Sequence, residues 1–290
     1  MPMAYASRPS GVLARDILLS APAITAILAG LFAPLALMFV LSFLDNAGRL
    51  SIENYQLLLE PFYLTGLMTT FKVAFAVAFI CALLAYPLSF FLARLPPRPA
   101  AAAFLLVLLP FWTSVLVRTY AWLILLQRHG LVNATLLKLG LIEAPLRLVN
   151  NMTGTIIGMV HVLLPYLILP LYANMRAIPA TYLHAASTCG ATPARAFVAI
   201  YFPLTLPGFV VGLTLVFTLS LGFFITPAIL GGGKLMMWAN YVQFALTAYP
   251  HWGAACAVGV ALLLLTLSLV AVLRLSVRHL RPWRARPGEF

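Results

Sequence analysis

Acidic residues are almost missing from this chain: among 290 residues only 6 are Asp or Glu, and charged residues of both signs make up 8%. Soluble domains carry roughly a quarter charged residues, so a water-soluble enzyme and a charge-extended disordered chain are both excluded. Cysteine is scarce too. Cys81, Cys189 and Cys256 form an odd set with no close pair, which excludes a disulfide framework and a metal knuckle and leaves soft packing residues. The histidines, His129, His161, His184, His251 and His279, show no paired ligand spacing, so no metal site is expected. No paired carboxylates and no nucleophile with a base stand out, so no catalytic residue is assigned.

What is abundant is apolar surface. Hydrophobic residues reach 63% and mean hydropathy is +1.02, the composition of a membrane protein. A net charge of +12 could suggest nucleic acid, but the cations punctuate apolar runs instead of clustering on a soluble face. No nucleic-acid partner is therefore expected. The apolar stretch from Ile17 to Leu44 exceeds the roughly 7–15 residue core of a signal peptide, and no small-residue cleavage site follows it. It reads as a first membrane helix that stays in place.

Apolar runs bounded by charge, Pro and Gly predict six spans at about 17–44, 66–93, 101–126, 153–175, 205–230 and 253–275. Their flanking cations set orientation. Arg8, Arg15, Arg94, Arg98, Arg176, Arg195, Arg274, Arg278, Arg281, Arg284 and Arg286 share one side, against Arg49, Arg128, Lys138, Arg147 and Lys234 on the other. Eleven against five predicts both termini in the cytoplasm. The last five of the eleven read as an anchor to anionic lipid. The loop with Arg128, Lys138 and Arg147 runs against the bias, and is long enough for a short helix of its own. Lys72 and Arg118 fall inside spans, where a cation costs about 2.5–3.5 kcal/mol on insertion scales, so each should face protein, water or the interface.

Between the fourth and fifth spans, the segment Ile178 to Pro207 reads as helix, turn, helix. Pro179 suits a first helical position, Gly190 the left-handed residue that ends a helix, and Thr192-Pro193 an N-cap followed by a first-turn proline. Pro203 and Pro207 should prevent smooth continuation into the fifth span. Ala185 and Ala186 leave one helix face without bulk, open to close approach by another protein. An ordinary connector packed on its own membrane domain is the plain alternative.

The spacing adds a resemblance. Ala185-Ala186, Gly190, Ile200 and Pro203 resemble the EAA loop of membrane subunits of binding-protein-dependent ABC importers: Glu-Ala-Ala, three residues, Gly, nine residues, Ile, any residue, Leu-Pro. His184 stands in place of the glutamate and Phe202 in place of the leucine. From about Leu41 to Ala255 the likeness is to the first permease subunit of spermidine/putrescine importers. It rests on Leu109 to Trp122, Ile52-Glu53-Asn54-Tyr55, Tyr86-Pro87-Leu88, Thr226 to Lys234, and Trp252 to Ala255.

The resemblance implies an all-α membrane protein with six transmembrane helices, the type I ABC importer permease fold, as a single domain over 1–290 with its coupling loop at 176–204. It implies contact with a separate ATPase through His184, Ala185, Ala186, Gly190, Arg195, Ile200 and Pro203. It also implies a second permease subunit, a periplasmic solute-binding protein, and ATP with magnesium held by the ATPase, this chain having no cofactor of its own. Gly231-Gly232-Gly233-Lys234 is no phosphate loop, because Leu235 stands where Ser or Thr must hold magnesium.

Arg118, Tyr120, Trp122 and Phe223 are candidate pathway residues. Arg118 equally suits a structural partner of backbone carbonyls, and Trp112 and Trp122 suit membrane-interface aromatics. Opine or phosphonate transport is an open alternative to polyamine. An ion-coupled carrier is a further one, although no Asp or Glu falls in any of the six spans and no inverted repeat stands out.

Overall fold

In a bilayer each backbone N–H and C=O must be satisfied within the chain, so long apolar runs become helices. The computed structural model describes residues 10–45, 47–248 and 252–279. His251 and the cations Arg8, Arg281, Arg284 and Arg286 lie outside them. The order is α1 Ser10–Ser42, α2 Glu53–Leu57, α3 Pro61–Arg94, α4 Pro97–Leu108, α5 Val115–Leu126, α6 Leu131–Lys138, α7 Met152–Arg176, α8 Thr181–Thr188, α9 Pro193–Ala196, α10 Phe202–Leu221, α11 Ile225–Leu230, α12 Trp238–Ala248 and α13 Gly253–His279. A 3₁₀ turn, Leu109–Trp112, follows α4, and a π turn, Phe197–Tyr201, joins α9 to α10.

Five helices are long and apolar enough to cross a membrane, or six if one broken pair counts as a span. That pair covers the expected span at about 101–126 and shows it broken. The chain bends by 97° between Pro97–Trp112 and Val115–Lys138. Thr113 is extended, its hydroxyl donating to the Pro110 carbonyl at 3.0 Å, and Ser114 caps the new helix by accepting from the Leu116 amide. An apolar run says nothing about its own direction; Pro110 and the Thr-Ser pair satisfy the backbone at the break.

The fifth span is corrected twice. It ends at Leu221, and Gly222 to Phe224 separate it from α11. Its start is continuous from Pro193, so Pro203 and Pro207 do not interrupt it. The π turn directly before Pro203 widens the helix, which relieves the clash of the ring with the preceding turn. With its amide nitrogen turned toward α10, Asn174 of α7 donates to the carbonyls of Leu204 and Thr205 at 3.0 and 3.3 Å.

The core lies where α3, α7 and α10 meet, around Val73, Val77, Cys81, Met159, Leu163, Leu167, Val216 and Leu221. The backbones of α7 and α10 approach closely at Gly208 and Gly212, four residues apart on α10. A Cβ on Gly212 would lie 3.0 Å from both the Cα and the carbonyl oxygen of Leu167, and one on Gly208 would lie 2.8 Å from the Pro170 carbonyl. Small residues at this spacing let membrane helices pack without any hydrophobic drive from water. The α1 span, by contrast, is 0% buried and rests on α13. Its end is tied down by Asn54, which donates to the carbonyls of Ser42 and Leu44 at 3.1 and 2.8 Å.

Overpacking at such a contact costs about 1–3 kcal/mol or more. Gly212→Leu is expected to lower the unfolding temperature of the detergent-solubilised protein clearly. Val211→Leu, on the 54%-exposed neighbouring position, should leave it unchanged. Equal melting of the two variants counts against the close α7–α10 packing.

Candidate functional site

The segment after α7 folds as a short helix, a glycine turn and a new helix. The α8 end is a Schellman motif: the Gly190 amide donates to Ser187 and the Ala191 amide to Ala186, both at 3.0 Å. Gly190 has φ +78, and a Cβ there would meet nothing within 4 Å, so the glycine is required by its backbone conformation and not by crowding. Thr192 then caps α9 by accepting from the Arg195 amide at 3.4 Å, with Pro193 in the first turn. Pro179 sits just before the helix, where its carbonyl accepts from Tyr182 at 3.3 Å.

The loop's surface differs from the expectation at one residue. Ala185 is exposed, whereas Ala186 is 6% exposed and faces its own chain. The i, i+1 pair cannot share a helix face, since neighbours lie about 100° apart around the axis. The open surface of α8 therefore consists of Thr181, Tyr182, His184, Ala185, Ser187 and Thr188. Arg195 and Pro203 are exposed as well, and Ile200 is half-buried.

One residue that the sequence reading passed over fastens this surface to the membrane domain. Leu183 packs into a cluster built on Leu171, Met175 and Tyr201, with Tyr86, Phe90 and Phe197 around it. Phe197 and Tyr201 of the π turn stack at 5.8 Å, and Phe90 meets both edge-on at 5.5 and 5.4 Å. Tyr86 is also hydrogen-bonded to Thr205 at 3.1 Å. Arg176 donates at 3.4 Å to the carbonyls of Ala93 and Leu95 at the end of α3. Packed aromatic rings thus join α8 to α3, α7 and α10. The hydrophobic period of Leu183 opposite exposed His184 was the available signal.

The candidate pathway residues divide. Arg118 and Trp122, one turn apart on α5, face α7: Trp122 lies edge-on to His161 at 5.7 Å, and Arg118 interacts electrostatically with His161 and Tyr166. The Arg118 Nε and the His161 Nδ1 are buried without a hydrogen-bond partner among the described residues. Tyr120 points elsewhere and is 48% exposed. Phe223 lies in the break after α10 against the central core. Buried Thr119 joins α5 to α11 by a 3.1 Å hydroxyl contact with Thr226. The inclusion of His161 and Tyr166 with Arg118 could not be read from sequence, because they come from a different helix.

Gly231-Gly232-Gly233 is a turn: Gly232 and Gly233 have φ +58 and +74, and its Lys234 is exposed. Among the described residues no group of three or more His, Cys, Asp or Glu could hold a metal ion.

No protein-family model matches the chain. It is 32% identical over 245 residues to the spermidine/putrescine transport system permease protein PotB of Haemophilus influenzae, covering 82% of this chain and 86% of that protein. It is 33% identical over 235 residues to PotB of Escherichia coli, covering 81% and 82%. In structure it matches a chain of a bacterial alginate ABC transporter in complex with an alginate pentasaccharide-bound periplasmic protein, with TM-score 0.78 and 18% identity over 95% of this chain and 99% of that one. The fold is thus that of ABC importer permeases.

A left-handed backbone costs a β-branched side chain about 1–2 kcal/mol, roughly a five- to thirtyfold shift in a local opening equilibrium. Gly190→Val is expected to speed hydrogen exchange at residues 190 and 191 by about tenfold, and Gly190→Asn far less. Exchange in Gly190→Val at the wild-type rate is the contrary result.

Proposed function

Because the chain belongs to the permease subunits of binding-protein-dependent ABC importers, in their spermidine/putrescine branch, we propose that it forms half of a polyamine pathway through the bacterial inner membrane. It is a multi-pass permease and not an enzyme. Energy arrives from a separate ATPase that binds ATP and magnesium, and the exposed face of α8, with His184 and Ala185, sits in that ATPase's groove. A second permease completes the pathway, and a periplasmic binding protein delivers the solute. Both termini lie in the cytoplasm, which the eleven-to-five cation bias supports.

The observation that carries this reading is the attachment of α8. Its short rigid helix, ended by Gly190 and pinned by Leu183, meets the aromatic cluster shared by α3, α7 and α10. Closure of the ATPases displaces α8, and the three packed helices move as one body while the bent pair α4 and α5 and the break before α11 absorb the difference. Alternating access follows from that rocking.

The solute reading rests on chemistry as well as kinship. A polyamine shedding water in a narrow path needs carboxylates, carbonyls or aromatic faces. No Asp or Glu lies in the candidate spans of this chain. The partner permease therefore supplies the acids, and this subunit the aromatic surface, with Tyr120, Trp122 and Phe223 as candidates. A second reading, an anionic or zwitterionic solute, draws on Arg118 beside His161.

Arg118→Gln separates them. A like charge near a passing ammonium costs on the order of 1–2 kcal/mol at an effective dielectric of about 20, so spermidine uptake by the reconstituted importer should be preserved or faster. Slower uptake in an assembled complex, with the binding protein's affinity unchanged, favours the anion reading. Failure to assemble assigns Arg118 a structural role.

A further inference from the structure

At the end of the molecule opposite α8, three cations from separate segments surround one cavity of about 590 Å³: Arg128 after α5, Arg147 before α7, and Lys234 after α11. The α7 helix, about 37 Å long at 1.5 Å per residue, separates this cavity from the coupling helix. The cavity lining contains no carboxylate, and among the described residues none of the three cations is assigned an ion pair.

The walls are fixed by polar contacts. Asn133, fully buried on α6, donates to the carbonyls of Gln127 and Leu146 at 3.0 Å each, and its own oxygen accepts from the Leu146 amide at 2.8 Å. One side chain thereby fixes the neighbours of Arg128 and Arg147 to each other. The Asn150 amide donates to the Leu230 carbonyl at 2.8 Å, Asn150 itself has φ +60, and Gly232 abuts its side chain so closely that a Cβ would collide. That contact fixes the turn that carries Lys234 against the same wall. All three are exposed, so water and salt ease their mutual repulsion, and a bound anion would relieve it further.

The solute of the preceding reading is not that anion, since a polyamine is repelled here. The lining also joins the cations to apolar Leu123, Leu148 and Val149, at the level where α5 ends and α7 begins. Apolar side chains beside cations at the ends of membrane helices match a molecule with a phosphate at one end and acyl chains at the other. We propose that this cavity binds the phosphate of an anionic phospholipid headgroup, of which phosphatidylglycerol is the test case. Arg128, Arg147 and Lys234 contact its oxyanion, and the apolar lining meets the start of its chains. Occupancy also tethers the turn after α11, whose Thr226 contacts Thr119 beside Arg118, so the lipid stabilises the outer end of the pathway. Only the leaflet, the outer one, rests on the importer reading.

The test uses the full importer complex in phosphatidylcholine nanodiscs with increasing phosphatidylglycerol, and counts retained lipid by native mass spectrometry. It needs neither solute nor ATP, so a failed transport assignment leaves it readable. Each neutralisation, Arg128→Gln, Arg147→Gln or Lys234→Gln, is expected to weaken retention about fivefold, and the triple variant by about a hundredfold. Arg98→Gln, at the opposite end, should retain lipid as wild type does. Wild-type retention in the triple variant overturns the proposal. So does displacement by millimolar inorganic phosphate without any preference for phosphatidylglycerol, which assigns a free-anion site. Unchanged lipid retention with a raised binding-protein requirement for ATPase stimulation assigns a protein-docking face instead, and also overturns it. If the triple variant fails to assemble, the single Lys234→Gln variant, on an exposed turn, decides by the same measure.

Discussion

Everything in this fold depends on one constraint: backbone polar groups within the bilayer have no water to bond, so each departure from the helix must be satisfied by the chain itself. The molecule meets this with short polar side chains at breaks within and beside its spans. Ser114 caps the bent pair, Thr192 caps the helix after the glycine turn, and Asn240 donates to the Phe224 carbonyl at 3.2 Å in the gap between α10 and α11.

The second organising feature is the rigidity of α3, α7 and α10. Gly208 and Gly212 bring α10 onto α7 at backbone distance, and Asn174 ties the pair by hydrogen bonds. At one end this bundle holds Leu183 of α8 among aromatic rings, and at the other it presents Asn151, which caps α7 by accepting from the Gly154 amide at 3.0 Å. The two ends of the bundle are therefore joined by close packing and not by soft loops. The peripheral α1, resting on α13, is left to meet lipid.

Charge is distributed with the same economy. A chain with 6 acidic residues and 18 basic ones has few internal counter-ions, so its cations must find aromatic rings, carbonyls or external anions. Arg94 lies 3.9 Å above the Phe90 ring, and Arg176 reaches the carbonyls ending α3. Arg118 is set against His161 and Tyr166 inside the bundle, where no carboxylate of this chain answers it. The shortage of acids thus shapes both the coupling end and the membrane interior.

Membrane character, helical class and the glycine turn were legible in the sequence, because each is set by local chemistry: apolar length, a left-handed glycine, a Thr-Pro start. The helix, turn, helix after the fourth span was legible for the same reason. What the sequence could not decide was direction and partnership. The 97° bend at Thr113 and Ser114, the passage of the fifth span through Pro203, and the burial of Ala186 beside exposed Ala185 depend on what packs against each segment. Trp122 meets His161 only because α5 lies across α7, a long-range contact that no local periodicity encodes. Tertiary packing alone chose which face of each apolar helix turned inward, since in a bilayer both faces are apolar and the hydrophobic pattern no longer distinguishes them.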